Sequence, residues 1–226
     1  MRILGLDTAL GACSAAVLED DHVLARAHET MPRGHAEALA PMAERVMREA
    51  GCAFSSLDRI AVTTGPGTFT GQRVGLAFAR AMALALKIPA IGVTTLDAMA
   101  AEALAEGDAG WAAAAIDAKR GEIYLGARAR NGETLIEAVL APLAGAAEAI
   151  AELASKIGRD LVLAGTGAEA LRTLLQATGL APRLGGVRQP DAVFAARLAM
   201  HAEAPGHPPR PLYLRGPDAK LPPAHA

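Results

Sequence analysis

The segment GPGTFTGQRVG, residues 65–75, has residue types and spacing that suit the binding of an anion. Gly65 and Gly67 relax the backbone, the proline between them fixes one φ angle, and a helix beginning after Thr68 would point unpaired amides at the loop. The pattern predicts either a phosphate or carboxylate site or a tight strand-to-helix turn without a ligand, and it leaves both open. A Walker phosphate loop is excluded, because Gln-Arg follows Gly71 where that loop needs Lys and Ser or Thr.

Two carboxylates follow predicted buried strands and could also carry chemistry. Asp7, with Thr8 beside it, ends the first strand, and Asp117 ends a strand in the second part of the chain. A carboxylate in such a place could hold a metal ion through water, whereas an aspartate there is also a common turn former. Gly165 and Gly167 precede a predicted helix, where they either contact a nucleotide or simply begin the helix.

Composition excludes several other classes of function. The six histidines include no i, i+4 pair and Cys-x-x-Cys is absent, which argues against a zinc site. The formal net charge of −2 provides no footprint for autonomous nucleic-acid binding, although a local basic patch stays open. Two cysteines make no disulfide framework and no apolar run is long enough to span a bilayer, so we expect a cytoplasmic protein without a membrane segment.

These residues require a scaffold in which strands alternate with helices. A β-meander over residues 3–29 precedes a helix at 35–50, a strand at 59–63, a helix at 70–86, a strand at 90–93 and a helix at 95–105. The order then restarts, with strands at 111–116, 122–129 and 134–140, a helix at 144–155, a strand at 161–164 and helices at 168–178 and 191–204. We expect a mixed α/β fold of the actin-like kind, with subdomains at 1–106 and 107–226 and an extended, partly disordered tail from about residue 205.

Two of the predicted helices carry apolar faces that could bind another protein. The helix at 35–50 has the helical period of apolar residues, and Pro41 within it predicts a kink or a helix that starts near the proline. The helix at 70–86 has a ridge of small residues every four positions, which lets another helix approach closely. The sequence favours neither packing between the two helices nor a subunit interface made by both. The residues of this predicted interface are Leu39, Met42, Val46, Gly71, Val74, Gly75, Phe78, Ala79 and Met82.

The loop GPGTFTGQRVG closely resembles the signature Gly-Pro-Gly-(Ser/Thr)-Phe-Thr-Gly-x-Arg-(Ile/Val)-Gly of the TsaB (YeaZ) family. That family takes part in making threonylcarbamoyladenosine in tRNA. Further segments are similar to the same family: LGLDTALGACSAAVL at the start, His35 with Leu39-Ala40-Pro41, IDAKRGEIYL at 116–125 and PLYLRGPDAK at 211–220. The resemblance therefore covers essentially the whole chain, with its motifs in order.

The resemblance implies an actin-like fold and a non-catalytic, scaffolding or activating subunit that works with TsaD and TsaE. TsaD would transfer the threonylcarbamoyl group from threonylcarbamoyl-adenylate to an adenosine of tRNA. TsaD carries a His-x-x-x-His metal motif where this chain has Thr95 and Met99, so no metal site is expected here. We expect no intrinsic cofactor, with ATP or ADP and magnesium only at the level of the complex, and tRNA contact mainly through the partners.

The chain would dock through the helices at 35–50 and 70–86, as a homodimer when alone or as a heterodimer with TsaD. We expect Gly75→Leu or Ala79→Leu to abolish partner binding while leaving the fold intact. The alternative function is a small-molecule ATP-dependent kinase or ATPase of actin-like fold. It would use a cleft for a nucleotide or an anion, which in the subunit interpretation is only a residual site. The residues of this cleft are Asp7, Thr8, Gly65, Gly67, Thr68, Asp117, Gly165 and Gly167.

Overall fold

The computed structural model describes residues 1–216, and the first half of the chain forms a five-stranded mixed sheet. Its strands are β1 (Arg2–Asp7), β2 (Ala12–Glu19), β3 (His22–Thr30), β4 (Arg59–Thr63) and β5 (Ala90–Val93). They lie in the order β3-β2-β1-β4-β5. The meander β1-β2-β3 is antiparallel, and β4 and β5 run parallel to β1. The predicted strands are confirmed.

The second half repeats this strand order. Its strands are β6 (Trp111–Asp117), β7 (Glu122–Ala129), β8 (Thr134–Pro142), β9 (Leu161–Ala164) and β10 (Arg183–Leu184), in the order β8-β7-β6-β9-β10. β6 is antiparallel to β7 and parallel to β9, as β1 is to β2 and β4. The sequence does not predict β10, because a strand of two residues shows no alternation.

Six α-helices lie in the described part of the chain. They are α1 (His35–Glu49), α2 (Phe69–Leu86), α3 (Thr95–Ala105), α4 (Leu143–Ile157), α5 (Ala168–Ala177) and α6 (Ala192–Met200). Pro41 lies inside α1 with its side chain exposed, so the interpretation that the helix starts near Pro41 is wrong. Gly51 ends the same helix in the left-handed conformation expected of a C-terminal glycine. Among residues 1–216 no helix is long and apolar enough to cross a membrane.

The first sheet is covered on both faces. Leu4 and Leu6 of β1 pack with α1 and α2, whereas Ile3 packs with α6 on the opposite face. Successive strand residues point to opposite faces, which explains how one short strand serves two cores. A side chain at Gly5 would place its Cβ 2.2 Å from the carbonyl oxygen of Ala192, so this glycine permits the close approach of α6.

The second sheet is covered in the same manner. α4 and α5 pack on one face around Ala113 and Ala115, and α3 packs on the other face around Ala112 and Ala114. Because α3 also contacts α6, these two helices form the middle layers between the sheets. The molecule is thus built as two mixed sheets with a pair of helices between them and a pair on each outer face.

Two helices cross the predicted division between residues 106 and 107. α3 precedes the division but packs mainly on the second sheet, and α6 follows it but packs on the first. α6 thus follows the division in sequence but packs on the first sheet, while each sheet lies on its own side of the division, which itself stays a prediction. Apolar periodicity identifies a buried helix face but not the sheet that buries it.

Residues 205–216 form no helix or strand and run along α2, and the predicted extended conformation of the tail stays a prediction. Arg80 Nε donates to the carbonyl oxygen of Pro209 (2.7 Å), and Arg73 Nε donates to the hydroxyl of Tyr213 (2.9 Å). The Leu212 amide donates to the Thr64 carbonyl at the end of β4 (2.8 Å). The predicted partial disorder of the tail, as far as it concerns residues 217–226, lies outside the described residues.

Candidate functional site

The glycine loop packs directly on the turn between β1 and β2. A Cβ at Gly67 would lie 2.2 Å from the carbonyl oxygen of Ala9, and the Thr68 amide donates to that same oxygen (2.8 Å). Gly65 has a φ of +109°, a conformation that side chains rarely adopt. These glycines therefore allow close contact between backbone segments, which is the ligand-free interpretation of the loop.

Amides at the start of α2 are occupied by groups of the chain itself. The Gly71 amide donates to Thr68 Oγ1 (3.1 Å), and the Gln72 amide donates to the Thr68 carbonyl (3.1 Å). Thr8 Oγ1 in turn donates to the Gly71 carbonyl (2.7 Å) and ties the β1–β2 turn to the helix. Thr68 is thus an ordinary N-cap with the buried Thr8 beside it. Fewer unpaired amides therefore remain at this helix terminus to bind a phosphate.

Asp7 lies fully buried at the end of β1. Its Oδ1 accepts hydrogen bonds from Thr63 Oγ1 (2.5 Å) and the Ala9 amide (3.2 Å), and Oδ2 has no partner within residues 1–216. Burial raises the pKa of Asp7 to about 7, because desolvation outweighs the two hydrogen bonds that favour the ionised form. At neutral pH this carboxyl group is therefore divided between its protonated and its ionised form.

Asp117, at the end of β6, has the opposite surroundings. It is exposed, and its carboxylate accepts from the Lys119 amide (2.8 Å) and from Lys119 Nζ (2.7 Å). These contacts hold the pKa of Asp117 below its usual range. A Cβ at Gly165 would meet the Ala115 carbonyl at 2.1 Å, and one at Gly167 would meet it at 3.3 Å, so both glycines serve close packing in the second half.

Most of the predicted partner interface is part of the chain's own core. Leu39, Met42 and Val46 of α1 pack in the cluster under the first sheet, together with Ala79 of α2. Gly71 and Gly75 face the β1–β2 turn: a Cβ at Gly75 would lie 2.7 Å from Thr8 Oγ1, and one at Gly71 would lie 2.1 Å from the Thr8 carbonyl. These six residues form no free surface.

The expectation that Gly75→Leu or Ala79→Leu would spare the fold is therefore wrong, since both positions are closed by their neighbours. Their small size serves the contact of α2 with the first sheet.

The opposite side of α2 carries a different ridge of small residues. Ala77, Ala81 and Ala85 are exposed and recur every four residues, as the buried glycines do. Leu84 is 81% exposed beside them. Along the other border of this ridge lie the half-buried side chains of Val74, Phe78 and Met82, the three members of the predicted interface that remain accessible.

The two positions where the resemblance predicts the histidines of TsaD hold core residues. Thr95 and Met99 are both fully buried in α3, and Met99 packs between α3 and the second sheet. Within residues 1–216 no group of three or more His, Cys, Asp or Glu side chains is placed to hold a metal ion.

A pocket of about 600 Å³ was not predicted from the sequence. It lies beside the start of α2, between the glycine loop, Tyr124 of β7 and the tail. Residues from all three parts of the chain line it, among them Phe69, Gln72, Arg73, Tyr213 and Arg215. The only sequence signal was that two matched segments, GPGTFTGQRVG and PLYLRGPDAK, carry an aromatic residue and an arginine each, which does not indicate that they meet.

Comparison with known proteins matches the chain to one family along most of its length. The family model for TsaD, tRNA N6-adenosine threonylcarbamoyltransferase, matches residues 25–216. The tRNA threonylcarbamoyladenosine biosynthesis protein TsaB of Escherichia coli K12 is 36% identical over 95% of this chain and 95% of its own length. This chain has Thr95 and Met99 at the two positions where the resemblance predicts the TsaD histidines.

Solved structures give the same result for the fold. YeaZ from Pseudomonas aeruginosa superimposes with a TM-score of 0.74, is 32% identical, and covers 88% of this chain and 92% of its own. The ROK hexokinase of Thermus thermophilus, at 19% identity and a TM-score of 0.53 over 88% of this chain and 99% of its own, shares the fold alone. The actin-like fold is thereby confirmed.

Proposed function

Because the chain belongs to the TsaB (YeaZ) family of tRNA threonylcarbamoyladenosine biosynthesis proteins, we propose that it is a non-catalytic scaffolding or activating subunit. In this proposal TsaD transfers the threonylcarbamoyl group from threonylcarbamoyl-adenylate to an adenosine of tRNA, and TsaE completes the complex. This chain holds TsaD in its active arrangement. Contact with tRNA is made mainly by the partners.

The observation that carries the proposal is the exposed apolar face of α2. A contiguous apolar patch on a surface marks a site of interaction with another protein, and Leu84, which is 81% exposed, lies beside the exposed alanines of α2. The small ridge Ala77–Ala81–Ala85 lets a partner helix approach closely, with ridges packed into grooves. Val74, Phe78 and Met82 would add apolar contact along one border of the ridge.

The same face of α2 serves both the homodimer and the heterodimer with TsaD. TsaD is related to this chain, as the match to its family model indicates, so a TsaD helix equivalent to α2 can pack on α2 as a second copy of α2 would. An isologous contact of this kind closes as a dimer. The chain forms a homodimer when alone and a heterodimer when TsaD is present.

The remaining chemistry of the chain supports a subunit without its own reaction. Thr95 and Met99 offer no metal ligands and are buried, and Asp7 is enclosed by the β1–β2 turn and Thr63. Asp117 is neutralised by Lys119. The chain accordingly has no intrinsic cofactor, and ATP or ADP with magnesium acts only in the complex.

Substitution on the α2 ridge tests the proposal. Ala81→Arg places a long cation on the exposed ridge and keeps a good helix former. We expect its affinity for TsaD, measured by co-purification and titration, to fall at least about thirtyfold, the size of a hot-spot loss of about 2 kcal/mol. Threonylcarbamoyladenosine formation, reconstituted with TsaD, TsaE and tRNA, should fall in parallel.

The matched control is Ala149→Arg, which makes the same change at an exposed position of α4. It should bind TsaD and support modification like the unaltered chain. Normal binding of TsaD by Ala81→Arg would contradict the α2 interface. Modification of tRNA that proceeds equally well without this chain would contradict the subunit role itself.

A further inference from the structure

The pocket beside α2 offers an exposed aromatic platform. The rings of Phe69 and Tyr213 stack with their centroids 5.6 Å apart and 25° between their planes. Phe69 is 58% exposed and Tyr213 is 45% exposed, although aromatic residues make up only 3% of the chain. Exposed aromatic faces stack nucleobases irrespective of sequence, because every base has a π-face.

A cation accompanies this platform, and no carboxylate among residues 1–216 pairs with it. The Arg73 guanidinium lies 3.7 Å above the centre of the Phe69 ring, and its Nε donates to the Tyr213 hydroxyl. Arg73 forms no ion pair with any carboxylate of residues 1–216, whereas Arg215 on the other side of the pocket is paired with Glu122. The pocket lining therefore holds two arginines and no acidic residue, which favours an anionic ligand.

Gln72 adds a polar group that lacks a partner. Its side chain lines the pocket, is 3% exposed and packs against Gly65. Its Oε1 accepts no hydrogen bond from the described part of the chain. Because this oxygen is closed off from solvent against Gly65, Gln72 shapes the wall of the pocket and is given no contact with the ligand.

We propose that this pocket binds an unpaired nucleotide of RNA. The base stacks on the exposed face of Tyr213, whose ring rests on Phe69, and Arg73 meets a neighbouring phosphate. The choice of RNA as the source of the nucleotide rests on the proposed function. With a net charge of −2 the chain supplies one local contact, and the partners supply the rest of the affinity for tRNA.

The test measures binding of a fluorescein-labelled single-stranded RNA of about 12 nucleotides to the isolated chain by anisotropy at low salt. We expect Tyr213→Ala to weaken binding about tenfold, as loss of one stacked base predicts. Arg73→Gln should weaken it and reduce the slope of log affinity against log salt by about 0.7. Both positions are exposed, and an unchanged melting temperature would establish that the variants fold.

The matched control is Arg197→Gln. Arg197 also lies over an aromatic ring, that of Phe194, at 5.3 Å, but outside the pocket. It should leave RNA binding unchanged, and an equal loss in both arginine variants would overturn the site. A duplex of the same sequence should bind more weakly than the single strand, because its bases are not free to stack. Equal binding of the duplex would overturn the proposal as well.

Two further arms identify the ligand. Oligo(A) should bind more tightly than oligo(U), since adenine stacks more strongly than uracil, and equal affinities would overturn the stacking given to Tyr213. Free AMP should compete only weakly. Competition by AMP at the affinity of the RNA would assign the pocket to a free nucleotide and overturn RNA as the ligand.

The isolated chain is used throughout, so the result does not depend on TsaD docking. Failure of RNA binding with intact docking contradicts this inference alone, and the reverse result contradicts the α2 interface alone.

Discussion

The two halves of the molecule have the same strand order and the same glycine contact, but they place their carboxylates in different surroundings. In each half, one strand runs parallel to the central strand of the sheet. A glycine that follows this parallel strand approaches a backbone carbonyl near the end of the central strand. Gly67 meets Ala9 and Gly165 meets Ala115 in this way. Asp7 is nevertheless buried beside Thr63, whereas Asp117 is exposed and paired with Lys119. Burial, rather than position in the topology, decides the chemistry of a strand-end carboxylate.

The outer helices differ in a second respect. α4 exposes Glu148, Glu152 and Lys156, and the last two form an i, i+4 ion pair that suits a solvated face. α2, an outer helix of the first half, exposes alanines and Leu84 instead. This apolar helix face lies on the first half, and a partner that uses it must approach from that side.

The largest effect is expected from one matched pair of helix glycines. Gly71 is the third residue of α2 and Gly145 the third of α4. A methyl group at Gly71 would meet the Thr8 carbonyl at 2.1 Å, and nothing lies within 4 Å of the same position at Gly145. We expect Gly71→Ala to lower the free energy of unfolding by about 3–4 kcal/mol and Gly145→Ala to raise it by about 0.5–1 kcal/mol.

Urea denaturation of the two variants measures this difference directly. If Gly71→Ala proved as stable as the unaltered chain, the packing of α2 on the β1–β2 turn would be wrong as described. Gly145→Ala makes the same change in helix propensity without a steric clash, so the difference between the two variants reports the clash at residue 71.

The same two helices show what the sequence could and could not predict. The extent of α2 and its small-residue period were predicted, because both are local properties of the chain. Small residues recur every four positions on two sides of α2, however, at Gly71 and Gly75 and again at Ala77 and Ala81. Choosing the buried side requires the position of Thr8, which is distant in sequence and adjacent in space.

Other features escaped prediction for the same reason. The sheet that each of α3 and α6 covers depends on contacts across the whole chain. The pocket forms because the tail brings Tyr213 to Phe69. The motif residues at 65–75 identified the family, whereas their arrangement around Ala9 and Thr8 argues for structure rather than catalysis.

An intermediate effect is expected from the strand-end carboxylates. The pKa of Asp7 is raised to about 7 in the folded chain, against about 3.9 in an unfolded chain. Folding therefore favours the protonated form, and the stability from this group falls as pH rises from about 4 through 7. Asp7→Asn removes that loss, so the stability of the variant relative to the unaltered chain should rise by roughly 2 kcal/mol between pH 5 and pH 7.

Asp117→Asn should show the opposite sign. The pKa of Asp117 is lowered, so its stabilising contribution is present above the unfolded pKa and is lost as pH falls. The effect is small because the ion pair with Lys119 is exposed. Urea titrations of both variants at several pH values provide the measurement, and parallel pH profiles would refute the contrast between the halves.

The smallest effect concerns the helix that joins the halves. Thr94 caps α3 by accepting from the Asp97 amide (2.9 Å), whereas Thr173 lies exposed within α5 and donates to the Glu169 carbonyl (3.0 Å). Thr94→Ala should cost about 1 kcal/mol through the lost cap. Thr173→Ala should be neutral or slightly stabilising, because the hydrogen bond from a threonine hydroxyl to the carbonyl four residues earlier does not stabilise a helix. Equal denaturation midpoints for the two variants would mean that the cap of α3 does not help to hold the two sheets together.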